Sequence, residues 1–248
     1  MKISIITVCW NSAATIEKTI KSVQSQDYTN LEYIIIDGQS KDSTLEIIKK
    51  YSHVVTKWIS EPDKGLYDAM NKGIGMATGD YIGIINADDT FSDVDTISNI
   101  ANFLKINNVD ASLGDIVQHR DDGQIIRRYS AKNWNPEKLK IGFMPAHPAI
   151  FFRKELFEKF GYYSLDFKIA ADYELIIRYF LKQHISWKFS GITTHKMLIG
   201  GVSSSGYRSY KKVSEEIIKA LQMNHISFHA WRIKSRIIWK VFGFLKRK

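Results

Sequence analysis

The chain has 248 residues, 44% hydrophobic and 25% charged, the make-up of a globular protein long enough for one large α/β domain or two small ones. A lone cysteine, Cys9, excludes an internal disulfide, and no apolar run reaches the roughly 18 residues of a membrane-spanning helix. The net charge of +9 sits at one end: residues 1–206 carry 24 Lys+Arg against 24 Asp+Glu, whereas residues 207–248 carry 11 Lys+Arg against Glu215 and Glu216. Such a tail points to an anionic partner of its own, lipid or nucleic acid, and away from a globally basic fold.

Ile3 to Val8 reads as a first strand, because it is rich in β-branched residues and is followed at once by a polar helix start at Asn11-Ser12. The helix that follows carries Ile16, Ile20 and Val23 at helical spacing. Leu31 to Ile36 is a second strand ending in Asp37-Gly38-Gln39-Ser40, and Asp42 or Ser43 caps a helix bearing Leu45, Ile48 and Tyr51. A third strand around Val54 to Ile59 ends at Glu61-Pro62-Asp63-Lys64-Gly65, ahead of a helix with Leu66, Met70 and Ile74. Tyr81 to Ile85 is a buried fourth strand that runs into Asn86-Ala87-Asp88-Asp89.

Strands and helices alternating at short intervals predict a parallel sheet with helices on both faces. In such sheets ligands bind beyond the carboxyl ends of the strands, which here carry Asn11, Asp37, Asp63 and Asp88-Asp89. Helix capping accounts for Asp42 and partly for Asp37, but not for Asp63 or the acidic pair. Adjacent carboxylates repel unless a cation lies between them, and a hard divalent cation also grips a diphosphate. An ordinary polar turn is the simpler reading of Asp88-Asp89 alone. No Gly-x-Gly-x-x-Gly or Gly-x-x-x-x-Gly-Lys-Ser/Thr loop is present, so dinucleotide enzymes and P-loop NTPases do not fit.

Further on, a helix carries Ile97, Ile100, Ala101 and Leu104, and strands around Ala111–Val117 and Ile125–Tyr129 flank the hairpin signal Asp121-Asp122-Gly123. The second half therefore reads as mixed rather than purely parallel. His147, between two prolines, either contacts substrate or braces its loop. Asp172 opens a helix with Leu175, Ile176, Tyr179 and Phe180; it serves either as a cap or as a rigidly held general base. A strand-like stretch from Ser186 to Ile199 leads to a polar Gly/Ser loop over 200–206, a lid or a plain linker. A last helix from about Ser227 carries a basic stripe of Arg232, Arg236 and Lys240 amid Phe228, Trp231, Ile237, Ile238, Phe242 and Leu245. That profile fits a helix lying in a membrane interface, or a terminal helix packed on the domain with a solvated stripe.

Five stretches in order carry a resemblance: Ile5 to Asn11, Ile36 to Thr44, Glu61 to Gly73, Gly79 to Asp89, and Ala171 to Glu174. Together they resemble the family 2 glycosyltransferases, inverting nucleotide-sugar enzymes of the GT-A fold, and most closely the small bacterial members that build O-antigen and capsule repeat units. The resemblance implies a GT-A domain over 1–206, with a nucleotide-sugar half at about 1–92 and an acceptor half at about 93–206; outside it, residues 207–248 read as a basic amphipathic helical tail. It implies that Thr7 and Asn11 line the nucleotide pocket, that Asp37 accepts a hydrogen bond from the base, and that Asp63, Asn71 and Lys72 flank the nucleotide and diphosphate. Asp88 and Asp89 match the end of the metal-binding motif, with Asp89 the direct ligand to Mn²⁺ or Mg²⁺, and Asp172 matches the catalytic base. Where many members have Asp-x-Asp, this chain has Asn86, so a further ligand is needed and His195 is the candidate.

The implied reaction moves one hexose from a nucleotide sugar, such as UDP-Glc or UDP-Gal, to a polyprenyl-diphosphate-linked sugar, without processivity. The expected setting is cytoplasmic, on the inner face of a bacterial inner membrane, with the tail on anionic lipid and no nucleic acid partner. Two alternatives stand beside this: a relative that binds nucleotide sugars without transfer, and a nucleic-acid-binding protein working through its tail. A nucleotidyltransferase is disfavoured by the missing triphosphate loop.

Overall fold

The computed structural model describes residues 1–120, 122–198 and 206–235. The Gly/Ser loop over 200–205, Asp121 of the predicted hairpin turn, and the stripe residues Arg236 and Lys240 with Ile237, Ile238, Phe242 and Leu245 lie outside the described residues.

The chain divides into two compact units that interleave in sequence. The first comprises Met1–Lys132, Pro145–Tyr163 and the described part of Ile185–Ile199; the second comprises Asn133–Met144, Ser164–His184 and the described part of Gly200–Lys248. The first unit holds all the described strands: β1 (Ile3–Cys9), β2 (Leu31–Asp37), β3 (Lys57–Ser60), β4 (Tyr81–Ile84), β5 (Thr90–Phe91), β6 (Ala111–His119), β7 (Ile125–Tyr129), β8 (Ile150–Arg153) and β9 (Trp187–Leu198). They form one sheet in the order β3-β2-β1-β4-β8-β6-β9-β5, with β7 paired to β6. The β3-β2-β1-β4 pairs are all parallel. Beyond β4 the sheet is mixed, because β8 runs antiparallel to both β4 and β6 while β9 runs parallel to β6. The mixed α/β sheet read from the sequence is thus the observed one.

Helices cover both faces, as the strand alternation requires. On one face, α1 (Ile16–Gln24), α2 (Thr44–Lys50) and α4 (Thr96–Asn107) bury Ile16, Ile20, Ile48, Ile97 and Leu104 against Ile3, Ile5, Tyr33 and Ile35. On the other, α3 (Leu66–Met76) presses so closely that a Cβ on Gly73 would lie 2.5 Å from Ile6 Cγ2 and 3.3 Å from Ile36 Cγ1. Gly83 has the same role within β4, where a Cβ would lie 2.5 Å from the Phe151 ring of β8. The helix α5 (Glu155–Phe160) follows β8.

Two sequence-based boundaries shift. β3 starts at Lys57, since the amides of Val54 and Val55 both turn back onto the Tyr51 carbonyl at the end of α2. The tail, expected to be helical from 207, opens with α7 (Gly206–Met223), ahead of the helix placed from about Ser227. Its buried residues Ser214, Ile217, Ala220 and Leu221 recur at helical spacing, hidden among charges. α7 belongs to the second unit with α6 (Ala171–Ile176) and the π-helical turn Ile177–Lys182 that continues it. After a turn with His225 at φ 58°, residues 230–235 are helical again.

Candidate active site

The strand register builds the site. β1, β2 and β3 are aligned so that Cys9, Asp37 and Ser60 are neighbours at their carboxyl ends. Asp37 is fully buried, and its carboxylate accepts hydrogen bonds from the Ser60 hydroxyl (2.6 Å), the Ser40 amide (3.1 Å) and the Ser40 hydroxyl. The Cys9 thiol lies 3.7 Å away, and burial together with the Asp37 charge pushes its pKa up, so it stays a thiol. Ser40 in turn accepts the Asn11 amide at 2.7 Å, and Asn11 Oδ1 accepts the Lys41 amide at 2.8 Å. Asn11 is left-handed at φ 48°, a conformation that asparagine tolerates better than most residues. Asn11 and Asp37 are therefore joined through one serine.

Asp63 closes over the same spot. A Cβ on Gly38 would meet its Oδ2 at 2.4 Å and Trp10 Cδ1 at 3.5 Å, while its Oδ1 accepts the Gly65 amide at 2.8 Å. Trp10 is 67% exposed here, a large aromatic face beside two carboxylates. Lys72 braces the loop from α3, bonding Glu61 at 2.8 Å and the Pro62 carbonyl at 2.8 Å; the Glu61 bond raises its pKa. Asn71 is turned elsewhere, gripping the backbone of Tyr163 by both its carbonyl (2.9 Å) and its amide (3.0 Å). Tyr163 stacks on Tyr67 and its hydroxyl is 2.6 Å from His147 Nε2, so His147 is held by an aromatic cluster. Thr7 is fully buried with its hydroxyl 3.0 Å from that of Tyr33, below the strand ends.

The acidic pair splits. Ile85 continues β4 by donating to the Ile6 carbonyl, and the chain then turns so that the Asp89 amide meets the Asn86 carbonyl at 3.1 Å. Asp88 is exposed. Asp89 is 1% exposed, accepts the Asn86 side-chain amide at 2.9 Å, and is tied to α1 where Thr19 Oγ1 donates to its carbonyl at 2.8 Å. Burial, then the Asp88 charge, pushes its pKa up to about 7 against the opposing pull of Asn86.

His195 lies opposite Phe91 in the β5–β9 pairing, fully buried, with ring centroids 5.2 Å apart. Its Nδ1 is 2.8 Å from Thr194 Oγ1, and Nε2 has no hydrogen bond among the described residues. Burial depresses its pKa to about 3, so the ring is neutral. Among the described residues no three His, Cys, Asp or Glu side chains come together as a metal cage. A cation bound by one carboxylate plus diphosphate oxygens needs no such cage, and the exposed Asp88 offers that carboxylate.

In the second unit, Asp172 sits in the first turn of α6, its Oδ1 accepting the Tyr173 amide at 2.7 Å. Two residues on, Glu174 is buried, forked by Arg178 (3.0 and 2.8 Å) and bonded by Asn224 at 3.0 Å. Trp10, Ser40, Ser60 and Glu174 were not singled out from sequence; of these only Trp10, an aromatic between a strand and a polar turn, carried a readable signal.

Residues 4–161 match the family described as Glycosyl transferase family 2. An uncharacterized glycosyltransferase of Mycobacterium tuberculosis is 35% identical over 178 residues, covering 71% of this chain and 68% of that protein. The PGL/p-HBAD biosynthesis glycosyltransferase of Mycobacterium bovis BCG is 28% identical over 228 residues, covering 89% and 84%. Among solved structures, S. aureus TarS 1-349 in complex with UDP-GlcNAc superposes with a TM-score of 0.70 at 21% identity, over 89% of this chain and 66% of that one. The mannosyltransferase PcManGT of Pyrobaculum calidifontis, in complex with GDP-Man and Mn²⁺, gives a TM-score of 0.63 at 19% identity, over 90% and 63%. This chain thus spans about two thirds of the length of those two structures, which share its GT-A fold. Since the matched stretch contains the parallel half of the sheet and every strand end just described, the chain belongs to glycosyl transferase family 2.

Proposed function

We propose that this glycosyltransferase moves one hexose from a UDP-sugar to a sugar carried on a lipid diphosphate, by a single metal-dependent inverting displacement. The observation that carries the reading is the convergence of Asn11, Asp37, Asp63, exposed Trp10 and exposed Asp88 at the carboxyl ends of β1–β4. TarS with UDP-GlcNAc and PcManGT with GDP-Man and Mn²⁺, structures of the same fold, support a nucleotide-sugar donor and a cation.

In this reading Trp10 offers its face to the base, and Asp37 accepts the N–H of uracil in exchange for one of the two Ser40 bonds. Asp63 and Lys72 fix the loop beneath the nucleotide. Asp88 would hold Mn²⁺ or Mg²⁺, which would neutralise charge on the leaving diphosphate. Asp89, buried behind Asp88, sets the turn. His195 is packed too deeply against Phe91 to be assigned to the cation here. Asp172 removes the proton from the acceptor hydroxyl as that oxygen bonds to the anomeric carbon and the bond to the diphosphate breaks.

The tail is assigned to an anionic membrane surface, where lipid-linked acceptors would reside. Its described part shows Trp231, 65% exposed, with the Arg232 guanidinium 5.4 Å from the ring centroid. The test is release of free nucleoside diphosphate from UDP-, GDP- and dTDP-sugars, with Mn²⁺ or EDTA, using a synthetic lipid-diphosphate sugar as acceptor. Turnover of a UDP-sugar that EDTA stops supports the reading. Turnover unaffected by EDTA removes the metal, and binding of no nucleotide sugar removes the function.

A further inference from the structure

The helix α7 lies beyond the stretch that matches the family, yet it grips the segment that leads into α6. Glu216 accepts three successive backbone amides on one carboxylate: Lys168 at 3.2 Å on Oε1, then Ile169 at 2.9 Å and Ala170 at 2.8 Å on Oε2. One turn along α7, Lys219 donates to the Asp166 carbonyl at 2.9 Å and lies 4.7 Å from the centre of the Phe167 ring. Five consecutive residues, 166 to 170, are thus held by two side chains spaced i, i+3 on one helix face. The segment has no regular secondary structure of its own and ends one residue before α6, whose second residue is Asp172. Converging amides on an anion make a charge-assisted nest, which fixes backbone direction more firmly than a single cap.

We propose that Glu216, seconded by Lys219, is a positioning residue for Asp172: it sets the backbone that aims the Asp172 carboxylate. The role rests on the reading of Asp172 as the base. A carboxylate is required because all three partners are donors. Glutamine in its place keeps one acceptor oxygen and turns an NH₂ group on the remaining amides.

The experiment measures kcat and donor KM for wild type, Glu216→Gln, Asp172→Asn and the double variant, with Glu215→Gln as the control on the neighbouring exposed residue. Glu216→Gln is expected to lower kcat roughly 10- to 100-fold, the scale of a small misplacement, with donor KM unchanged. In the Asp172→Asn background it is expected to remove nothing further from the residual rate, because the group it aims is gone. Wild-type kcat in Glu216→Gln while Asp172→Asn is inactive overturns the positioning role alone. So does a loss that adds in full to that of Asp172→Asn. Wild-type turnover in Asp172→Asn removes the base itself, and the positioning role with it. If Glu216→Gln does not fold, Lys219→Met supplies the same comparison: lowered kcat at constant KM supports the role, and an unchanged kcat overturns it.

Discussion

Burial strips hydration from Asp89 and the charge of Asp88 adds to the cost of ionising it, whereas Asp88 keeps its water. A sequence shows two adjacent carboxylates; which one faces solvent depends on how the chain leaves β4, and that is set by the Asn86 turn and by Thr19 reaching over from α1. The same limit applies to Thr7 and Asn71, whose hydrogen bonds to Tyr33 and Tyr163 cannot be read from residue type. Asp37 was legible as a strand-end acid, but its two serine partners were not, being brought in from 3 and 23 residues away.

Away from the site, Glu32 is the residue with the clearest pH signature. Burial raises its pKa, but hydrogen bonds from Ser4 and Thr78 and the Lys57 ammonium outweigh this and bring it down to about 2. A depressed folded-state pKa means that the unfolded chain binds more protons between about 2 and the ordinary 4.5, so this stabilisation is complete above pH 4.5 and lost as pH falls towards 2. Glu32→Gln is expected to cost roughly 3 kcal/mol at pH 7, since Lys2 and Lys57 lose a buried partner. Urea unfolding at pH 7 and pH 3 checks this: the gap between variant and wild type narrows at pH 3, and an equal gap at both contradicts it.

The glycines set how closely elements approach. Gly83→Ala would drive a methyl group into the Phe151 ring from within a strand buried on both sides. It is expected to cost roughly 1–3 kcal/mol and to lower Tm by several degrees, measured by thermal unfolding; an unchanged Tm would mean that β8 can shift. Gly38→Ala differs, because the group it meets is the movable Asp63 carboxylate. Nucleotide affinity is expected to fall at near-constant Tm, as read by calorimetric titration with UDP. The β-α alternation up to β4 was readable because β1, β2 and β4 are nearly continuous apolar runs, whereas the short, half-polar β3 was misplaced at its start. The antiparallel insertion of β8 between β4 and β6 was not, since it pairs residues dozens of positions apart. The tail's helical character was readable, but the bounds and buried face of α7 were not, because its few buried positions are outnumbered by charges.

At the scale of the whole molecule, the charge asymmetry and the five motif stretches were plain in the sequence, whereas the interleaving of the two units was not. Among the described residues no helix is long and apolar enough to cross a membrane. The membrane contact proposed for the tail has a natural place to be cut. Ile233 is buried, and the Tyr210 hydroxyl bonds the carbonyls of Ile233 (3.2 Å) and Lys234 (3.0 Å), so residues up to 235 belong with α7. Deleting residues 236–248 is expected to release the protein from anionic vesicles in a sedimentation assay with nucleotide binding intact, and sedimentation unchanged by the deletion would contradict the assignment.

Two variants compared in one assay separate the proposed roles of Asp88 at the diphosphate and Asp172 at the acceptor. UDP affinity in Mn²⁺ and glycosyl transfer to a lipid-diphosphate sugar are measured for Asp88→Ala and Asp172→Asn. Asp88→Ala is expected to lose both, with transfer down at least about 100-fold, whereas Asp172→Asn is expected to bind UDP like wild type and lose transfer to a similar degree. Transfer at the wild-type rate in either variant would contradict the role proposed for that residue.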